Sequence, residues 1–144
     1  MTADRDDVDV ELPGRRSIRV RRLIAAMLLL ATIGAGLLVH AVLPDSSATD
    51  IAGDALYATA AYLAVVFVAP RLSPPAAGGI AAAWCVGVEL FQLSGLPLVW
   101  GASFSPAMLV FGTVFDARDL VVYLLTIAVL AAVDLALRAL VVRR

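Results

Sequence analysis

Residues 23–43 read LIAAMLLLATIGAGLLVHAVL and contain no formal charge. Twenty-one residues of α-helix are roughly 31 Å long, which matches the hydrocarbon core of a bilayer. The arginine-rich segment 15–22 stands just before this stretch. A basic flank also precedes a signal peptide, but the apolar region of a signal peptide is shorter, and here further apolar runs follow. The stretch therefore predicts an uncleaved first transmembrane helix.

The composition of the whole chain supports a membrane protein. Of the 144 residues, 62% are hydrophobic and 16% are charged, and the net charge is -1. An ordinary soluble domain is about 45–50% apolar and about 25% charged. These values exclude a typical soluble enzyme, a disordered protein and a nucleic-acid-binding domain. With one Cys and one His, the chain has no internal disulfide framework and no His/Cys zinc finger.

Three more apolar runs predict three more membrane helices, over residues 54–70, 76–93 and 119–142. The first of these is short for a full crossing. The connection 94–118 is too apolar for a water-exposed loop, and its part 104–115 fits an interfacial or re-entrant segment. The predicted fold class is therefore all-α: a polytopic membrane protein with four transmembrane helices and a re-entrant or interfacial segment before the last.

Charge defines the domain boundaries and the orientation. Residues 1–22 form a disordered acidic tail (1–14) followed by a basic juxtamembrane segment, and residues 23–144 form the transmembrane domain. An even number of crossings places both termini on the side that carries most arginines. The positive-inside rule makes that side cytoplasmic, in the inner (plasma) membrane. Near that side, the i,i+4 spacing of Asp134 and Arg138 predicts an ion pair.

The remaining polar residues of the helices gather at the opposite, outer level. The candidate site consists of the carboxylates of Glu89, Asp54 and Asp119, with Glu89 as the proton-transfer candidate. A carboxylate in an otherwise apolar helix costs several kcal/mol unless it faces an interior site. The supporting residues are Tyr57, Gln92, Tyr123, His40 and Asp116.

Each candidate also has an ordinary structural interpretation. Asp54, Asp116 and Asp119 stand near predicted helix N-termini, where carboxylates cap free N–H groups. The two tyrosines fit an interfacial aromatic belt, and His40 fits a hydrogen-bonded interface residue. Trp84 and Cys85 are interpreted as packing residues. Glu89 has no such interpretation, since it is not a cap and has no nearby basic residue.

Three stretches carry a family resemblance: GDALYATAAYL (53–63), ELFQL (89–93) and FDARDLVVY (115–123). They resemble the signatures of the bacterial domain-of-unknown-function 2809 family of small four-helix membrane proteins, which is similar in outline to the VanZ-like proteins. The resemblance covers about residues 23–140. The family has no settled activity, so the resemblance implies signature positions rather than a reaction. These positions are Gly53, Asp54, Tyr57, Glu89, Gln92, Asp119 and Tyr123.

Three functions fit these observations, and whether the chain is an enzyme stays open. The first is binding or processing of a lipid-linked or cell-envelope molecule at the carboxylates, which would share protons or hold a divalent cation. The second is a small proton-coupled transporter that works as a homo-oligomer, with Glu89 as the coupling group. The third is a non-catalytic membrane partner protein. The expected partners are membrane lipids and a second copy of the chain, without nucleic acid.

Overall fold

The computed structural model describes residues 13–104, 106–112 and 114–142. These residues form helices and connecting turns without a strand, which confirms the all-α fold class. The helices are α1 (Pro13–Val42), α2 (Ser47–Val68), α3 (Pro74–Gln92), α4 (Leu96–Ser103), α5 (Pro106–Phe111) and α6 (Ala117–Val142).

Four helices of the described residues are long and apolar enough to cross a membrane. They are α1, α2, α3 and α6, and the mean hydropathy of their apolar windows runs from 1.2 in α3 to 2.5 in α6. This agrees with the four predicted crossings and indicates a multi-pass membrane protein. The lower value in α3 reflects Glu89 and Gln92 within its last turn.

The helices α2, α3 and α6 pack against one another and form the core of the bundle. Small residues allow close contact: a Cβ atom at Gly78 of α3 would lie 3.3 Å from the Cβ atom of Ala131 in α6. Such contacts hold membrane helices together by van der Waals packing. Among the described helices, the backbone of α1 lies close to that of α2 alone, and α1 reaches α6 through the Arg21 side chain. The residues of the core cluster are Ala25, Ala58, Tyr62, Val66, Ala77, Ala81, Cys85, Tyr123 and Ile127.

Both N-terminal helices begin earlier than predicted. Helix α1 starts at Pro13, so the basic segment is helical; residues 1–12 of the predicted acidic tail lie outside the described residues. Helix α2 starts at Ser47 rather than at residue 54, because Ser46 caps it. The Ser46 hydroxyl accepts the Thr49 N–H at 3.3 Å, and the Thr49 hydroxyl accepts the Ser46 N–H at 2.9 Å. The 22 residues of α2 are long enough to span a bilayer.

The long connection before the last membrane helix is largely helical. Pro106 begins α5, which lies within the segment 104–115 predicted to be interfacial or re-entrant, and Gly112 follows it with a φ of 63°. This left-handed conformation favours glycine and ends the helix. The additional helix α4 was not predicted. Aromatic packing joins this region to α3, since the ring of Phe91 lies 5.3 Å from that of Trp100 and 5.7 Å from that of Phe111.

The bundle has two polar ends. We call the end where α1 begins and α6 finishes the terminal end, and the opposite one the carboxylate end. At the terminal end, Asp134 pairs with Arg138 at 3.3 Å, which confirms the predicted i,i+4 ion pair. Asp134 also pairs with Arg21 of α1 at 2.6 Å and accepts a hydrogen bond from the Tyr62 hydroxyl at 2.8 Å. The two arginines donate further to backbone carbonyls of the α2–α3 loop.

Candidate functional site

Glu89 is completely buried although it lies in a membrane-spanning helix. Its side chain is 0% exposed on the buried face of α3. One carboxylate oxygen, Oε2, accepts the backbone N–H of Asp116 at 3.3 Å, and the Tyr123 side chain lies beside the carboxylate. The other oxygen, Oε1, has no hydrogen-bond partner. Because burial of an unpaired acceptor costs free energy, this oxygen needs an explanation beyond packing.

Asp54 and Asp119 meet opposite Glu89, from α2 and α6. Their carboxyl groups lie within hydrogen-bond reach of each other, and both lie close enough to Glu89 for electrostatic interaction. A hydrogen bond between two carboxyl groups requires a proton on one of them. The Oδ2 atom of Asp54 is buried and accepts no hydrogen bond from an N–H or O–H donor of the described residues. The structure therefore brings the three predicted carboxylates together at the carboxylate end.

The capping interpretation holds for one of the three aspartates and fails for another. Asp54 lies about two turns inside α2, so it caps nothing, and the expectation that it begins a helix is wrong. Asp116 precedes α6 and accepts the Arg118 N–H at 2.8 Å through its Oδ1 atom. Asp119 lies in the first turn of α6, where the helix dipole favours a negative charge.

Two tyrosines, Tyr57 and Tyr123, pack against each other beside the carboxylates. Tyr123 is buried, and its ring lies 5.7 Å from that of Tyr57. The Tyr57 hydroxyl donates to the Val110 carbonyl at 2.7 Å and accepts the indole N–H of Trp84 at 3.0 Å. Trp84 thus does more than pack, and no local sequence signal indicates this bond, because it depends on how α2 meets α3.

The site residues hold a short segment, Pro106–Gly112, over the carboxylate end; we call this segment the cover. The Gln92 amide nitrogen donates to the Phe111 carbonyl at 2.8 Å, as Tyr57 does to Val110. At the end of the cover, a Cβ atom on Gly112 would collide with the Gln92 amide nitrogen. Gly112 is therefore required both by its positive φ and by this close approach.

The free hydrogen-bonding capacity of the site consists of acceptors. In the described residues, three buried side-chain oxygens lack a partner: Asp54 Oδ2, Glu89 Oε1 and Gln92 Oε1. Such oxygens are satisfied by a group that donates hydrogen bonds or by a cation. No group of three or more His, Cys, Asp or Glu side chains in the described ranges could hold a metal ion.

Two polar residues at this end lie outside the buried site. His40 is exposed and lines a surface groove between α1 and α2 together with Asp45 and Asp50, so the structure does not bring it to Glu89. Arg118 is exposed, and its guanidinium lies 3.5 Å from Asp119, 3.8 Å from Asp116 and 3.9 Å from Asp50. Arg118 was not among the site residues predicted from the sequence, although it pairs with these acids.

A comparison with known families covers the part of the chain that contains the three carboxylates of the site. The sequence model of a family described as "Protein of unknown function (DUF2809)" matches residues 43–127. The chain belongs to the DUF2809 family. The matched part includes α2 to α5 and the first turns of α6, so it contains every DUF2809 signature position named from the sequence. Comparison with curated proteins and with solved structures found no match.

Proposed function

We propose that the protein binds a hydrogen-bond-donating head group of a lipid-linked or cell-envelope molecule at the carboxylate end. The observation that carries this proposal is the set of three buried acceptor oxygens, on Asp54, Glu89 and Gln92, without partners. A primary ammonium group suits them best, because it supplies three N–H donors and a positive charge. The nearby Asp119 and Asp116 already pair with Arg118, so the charge of the ammonium group would be balanced by Glu89 and Asp54.

The test compares lipids that differ in donor capacity. The full chain is placed in nanodiscs of phosphatidylcholine, whose head group has no N–H or O–H, and phosphatidylethanolamine is then added stepwise. Ligand that binds the folded state stabilises it, by about 2.7 kcal/mol at a hundredfold excess over Kd. We expect the unfolding temperature of the wild type, followed by tryptophan fluorescence, to rise by several degrees with phosphatidylethanolamine.

Two amide variants identify the site of this effect. Glu89→Gln removes the central carboxylate and should abolish the lipid-dependent rise. Asp45→Asn makes the same chemical change at an exposed acid of the same end, outside the buried site, and should keep the rise. Equal unfolding temperatures in both lipids for the wild type would refute the proposal. An unchanged rise in Glu89→Gln would show a general effect of the bilayer.

The proposed orientation places the carboxylate end outside the cell and both termini in the cytoplasm. It is supported by the arginines of the terminal end, among them Arg21, Arg71 and Arg138, against Arg118 at the other end. Single cysteines at the exposed Ser47 and Ser73 test it, after replacement of the buried Cys85 by Ser. An impermeant reagent added outside should label position 47 and not 73; the reverse pattern would turn the site toward the cytoplasm.

A second candidate function is proton-coupled transport, and the carboxyl pair of Asp54 and Asp119 favours it. Two carboxyl groups that lie this close can share a proton and pass it on. A chain of this size would have to pair with a second copy to enclose a path. In liposomes with a trapped pH indicator, proton flux that Asp54→Asn abolishes would favour transport; wild-type flux equal to that of empty liposomes would exclude it.

A further inference from the structure

The terminal end carries more positive charge than the described residues neutralise. The beginning of α1, the α2–α3 loop and the end of α6 contain seven arginines and a single acid, Asp134. Asp134 pairs with Arg21 and Arg138. In the described part of the chain no acid pairs with Arg22 or Arg71, and both side chains are exposed. These two guanidinium groups are therefore open to an anion from outside the bundle.

Hydrogen bonds to the backbone bring Arg22 and Arg71 to the same part of the terminal end. The Arg22 guanidinium donates at 3.4 Å to the carbonyl of Val68, the last residue of α2. Arg71 follows three residues later, next to Leu72, whose carbonyl accepts a hydrogen bond from Arg21 at 3.2 Å. A guanidinium has several N–H donors, so the bond to Val68 leaves others on Arg22 for a ligand.

Both arginines lie at the depth of the lipid phosphates. Arg22 directly precedes the charge-free stretch 23–43, and Arg71 stands in the short loop between two helices that are long and apolar enough to cross a membrane. Side chains at such positions lie at the boundary between the hydrocarbon and the head groups. A guanidinium binds two phosphate oxygens through parallel N–H donors. An anionic lipid thus supplies a fitting counter-charge at this depth.

We propose that Arg22 and Arg71 together hold the phosphate of an anionic phospholipid from the surrounding leaflet. Lipid phosphates are concentrated at this depth, whereas phosphate ions approach from water. Each arginine near an anionic surface contributes about fivefold in affinity. The proposal is independent of the amine site at the carboxylate end, and it holds for either orientation of the chain, because it depends only on the depth of the two side chains.

The experiment compares lipids that differ in net charge. The full chain in phosphatidylcholine nanodiscs receives phosphatidylglycerol stepwise, and its unfolding is followed by tryptophan fluorescence. We expect the unfolding temperature to rise by several degrees at low salt and by less at high salt, because salt screens the contact. Native mass spectrometry with both lipids in equal amounts gives their relative affinity. The wild type should retain phosphatidylglycerol at least about tenfold more tightly.

Two variants with the same chemical change locate the contact. Arg71→Gln removes one of the two guanidinium groups and should lower the preference for phosphatidylglycerol about fivefold. Arg118→Gln is the matched control, because Arg118 is an exposed arginine at the other end that already pairs with acids, and it should keep the preference. If Arg71→Gln does not fold, Arg22→Gln removes the other guanidinium group.

The remaining outcomes would overturn the proposal. Equal retention of the two lipids by the wild type would show that no anionic lipid is bound. A preference that Arg71→Gln and Arg118→Gln lower equally would show a general attraction to the charged surface. In phosphatidylcholine nanodiscs, inorganic phosphate should not raise the unfolding temperature, and a rise equal to that with the lipid would assign the arginines to a soluble phosphate. A loss of stability in Arg71→Gln without anionic lipid would instead point to an anion within the chain, such as the acidic stretch 4–11.

Discussion

The two polar ends of the bundle differ in how many partners their carboxylates have. At the terminal end, Asp134 faces two arginines and a tyrosine hydroxyl, and the arginines use their other donors on loop carbonyls. At the carboxylate end, Glu89 and Asp54 each keep a buried oxygen without a partner. Arg118 pairs with Asp116 and Asp119 at this end, but among the described residues no basic side chain forms an ion pair with Glu89 or Asp54.

This difference separates a structural network from a candidate binding site. A buried ion pair whose members have all their partners fixes helices relative to one another. Buried acceptors without donors reduce stability, and proteins keep such groups mainly where a function requires them. The comparison therefore predicts that equivalent substitutions at the two ends change stability by different amounts, and in one case with the opposite sign.

The largest expected effect is at the terminal end, from Asp134→Asn. The change leaves the Arg21 and Arg138 guanidinium groups without their shared counter-charge. We expect the free energy of unfolding to fall by about 2–3 kcal/mol, below the 3–5 kcal/mol of fully buried pairs, because both arginines are partly exposed. Unfolding in mixed micelles measures it, with Asp45→Asn as the control. If the free energy of unfolding falls no more than in that control, the network does not stabilise the fold.

The next effect is at the cover, from Gly112→Ala. An alanine at a φ of 63° costs about 1–2 kcal/mol, and its Cβ atom also displaces the Gln92 amide. We expect the free energy of unfolding to fall by about 1–2 kcal/mol and the binding of phosphatidylethanolamine to weaken. Gly53→Ala, in a helical position with open space around the new methyl group, should not destabilise the protein. Equal behaviour of the two variants would contradict the role of the cover.

A matched tyrosine pair on α2 sharpens the comparison. Tyr57→Phe leaves the Val110 carbonyl without its donor and the Trp84 indole without its acceptor, at a cost of about 1 kcal/mol. Tyr62→Phe removes one of three donors from Asp134, which keeps both arginines, so the expected cost is about 0.5 kcal/mol. Chemical unfolding gives both values, and a shift of tryptophan emission is expected for Tyr57→Phe alone. A larger loss from Tyr62→Phe would reverse the ranking.

The smallest stability change, and the one with the opposite sign, is expected from Glu89→Gln. The amide keeps an oxygen for the Asp116 N–H and adds two donors beside the carboxyl groups of Asp54 and Asp119. The free energy of unfolding should stay constant or rise by up to about 0.5 kcal/mol. A loss similar to that of Asp134→Asn would mean that Glu89 belongs to a structural network and would favour the non-catalytic alternative.

The sequence was sufficient for the features that depend on local or average properties. Hydrophobic runs gave the four crossings, and the i,i+4 spacing gave the Asp134–Arg138 pair. The start of α2 was missed although its signal was present: Ser46 and Thr49 cap it reciprocally, with a threonine where a capping box usually has Glu or Gln. That single error made Asp54 look like a helix cap.

For the site, the sequence indicated which residues are polar at one level of the membrane, and the packing of α2, α3 and α6 decided which of them meet. Asp54, Glu89 and Asp119 share that level and lie on buried helix faces. His40 lies at the same end of the bundle but belongs to α1. Because α1 packs against α2, His40 lines the groove between these helices and does not reach Glu89. The role of Trp84 and the long-range bond from Arg21 to Asp134 depend on tertiary contacts that no local pattern encodes.

The Arg21–Asp134 pair also has a consequence for biosynthesis. Its two members are separated by 113 positions, in the first and the last membrane helix. Chains enter the membrane from the N-terminus as they are made, so α1 is inserted before Asp134 has been synthesised. Until then, the partners described for Arg21 are carbonyls of the α2–α3 loop. Arg21 therefore gains its acidic partner only when α6 has been inserted, and the ion pair then links α1 to α6.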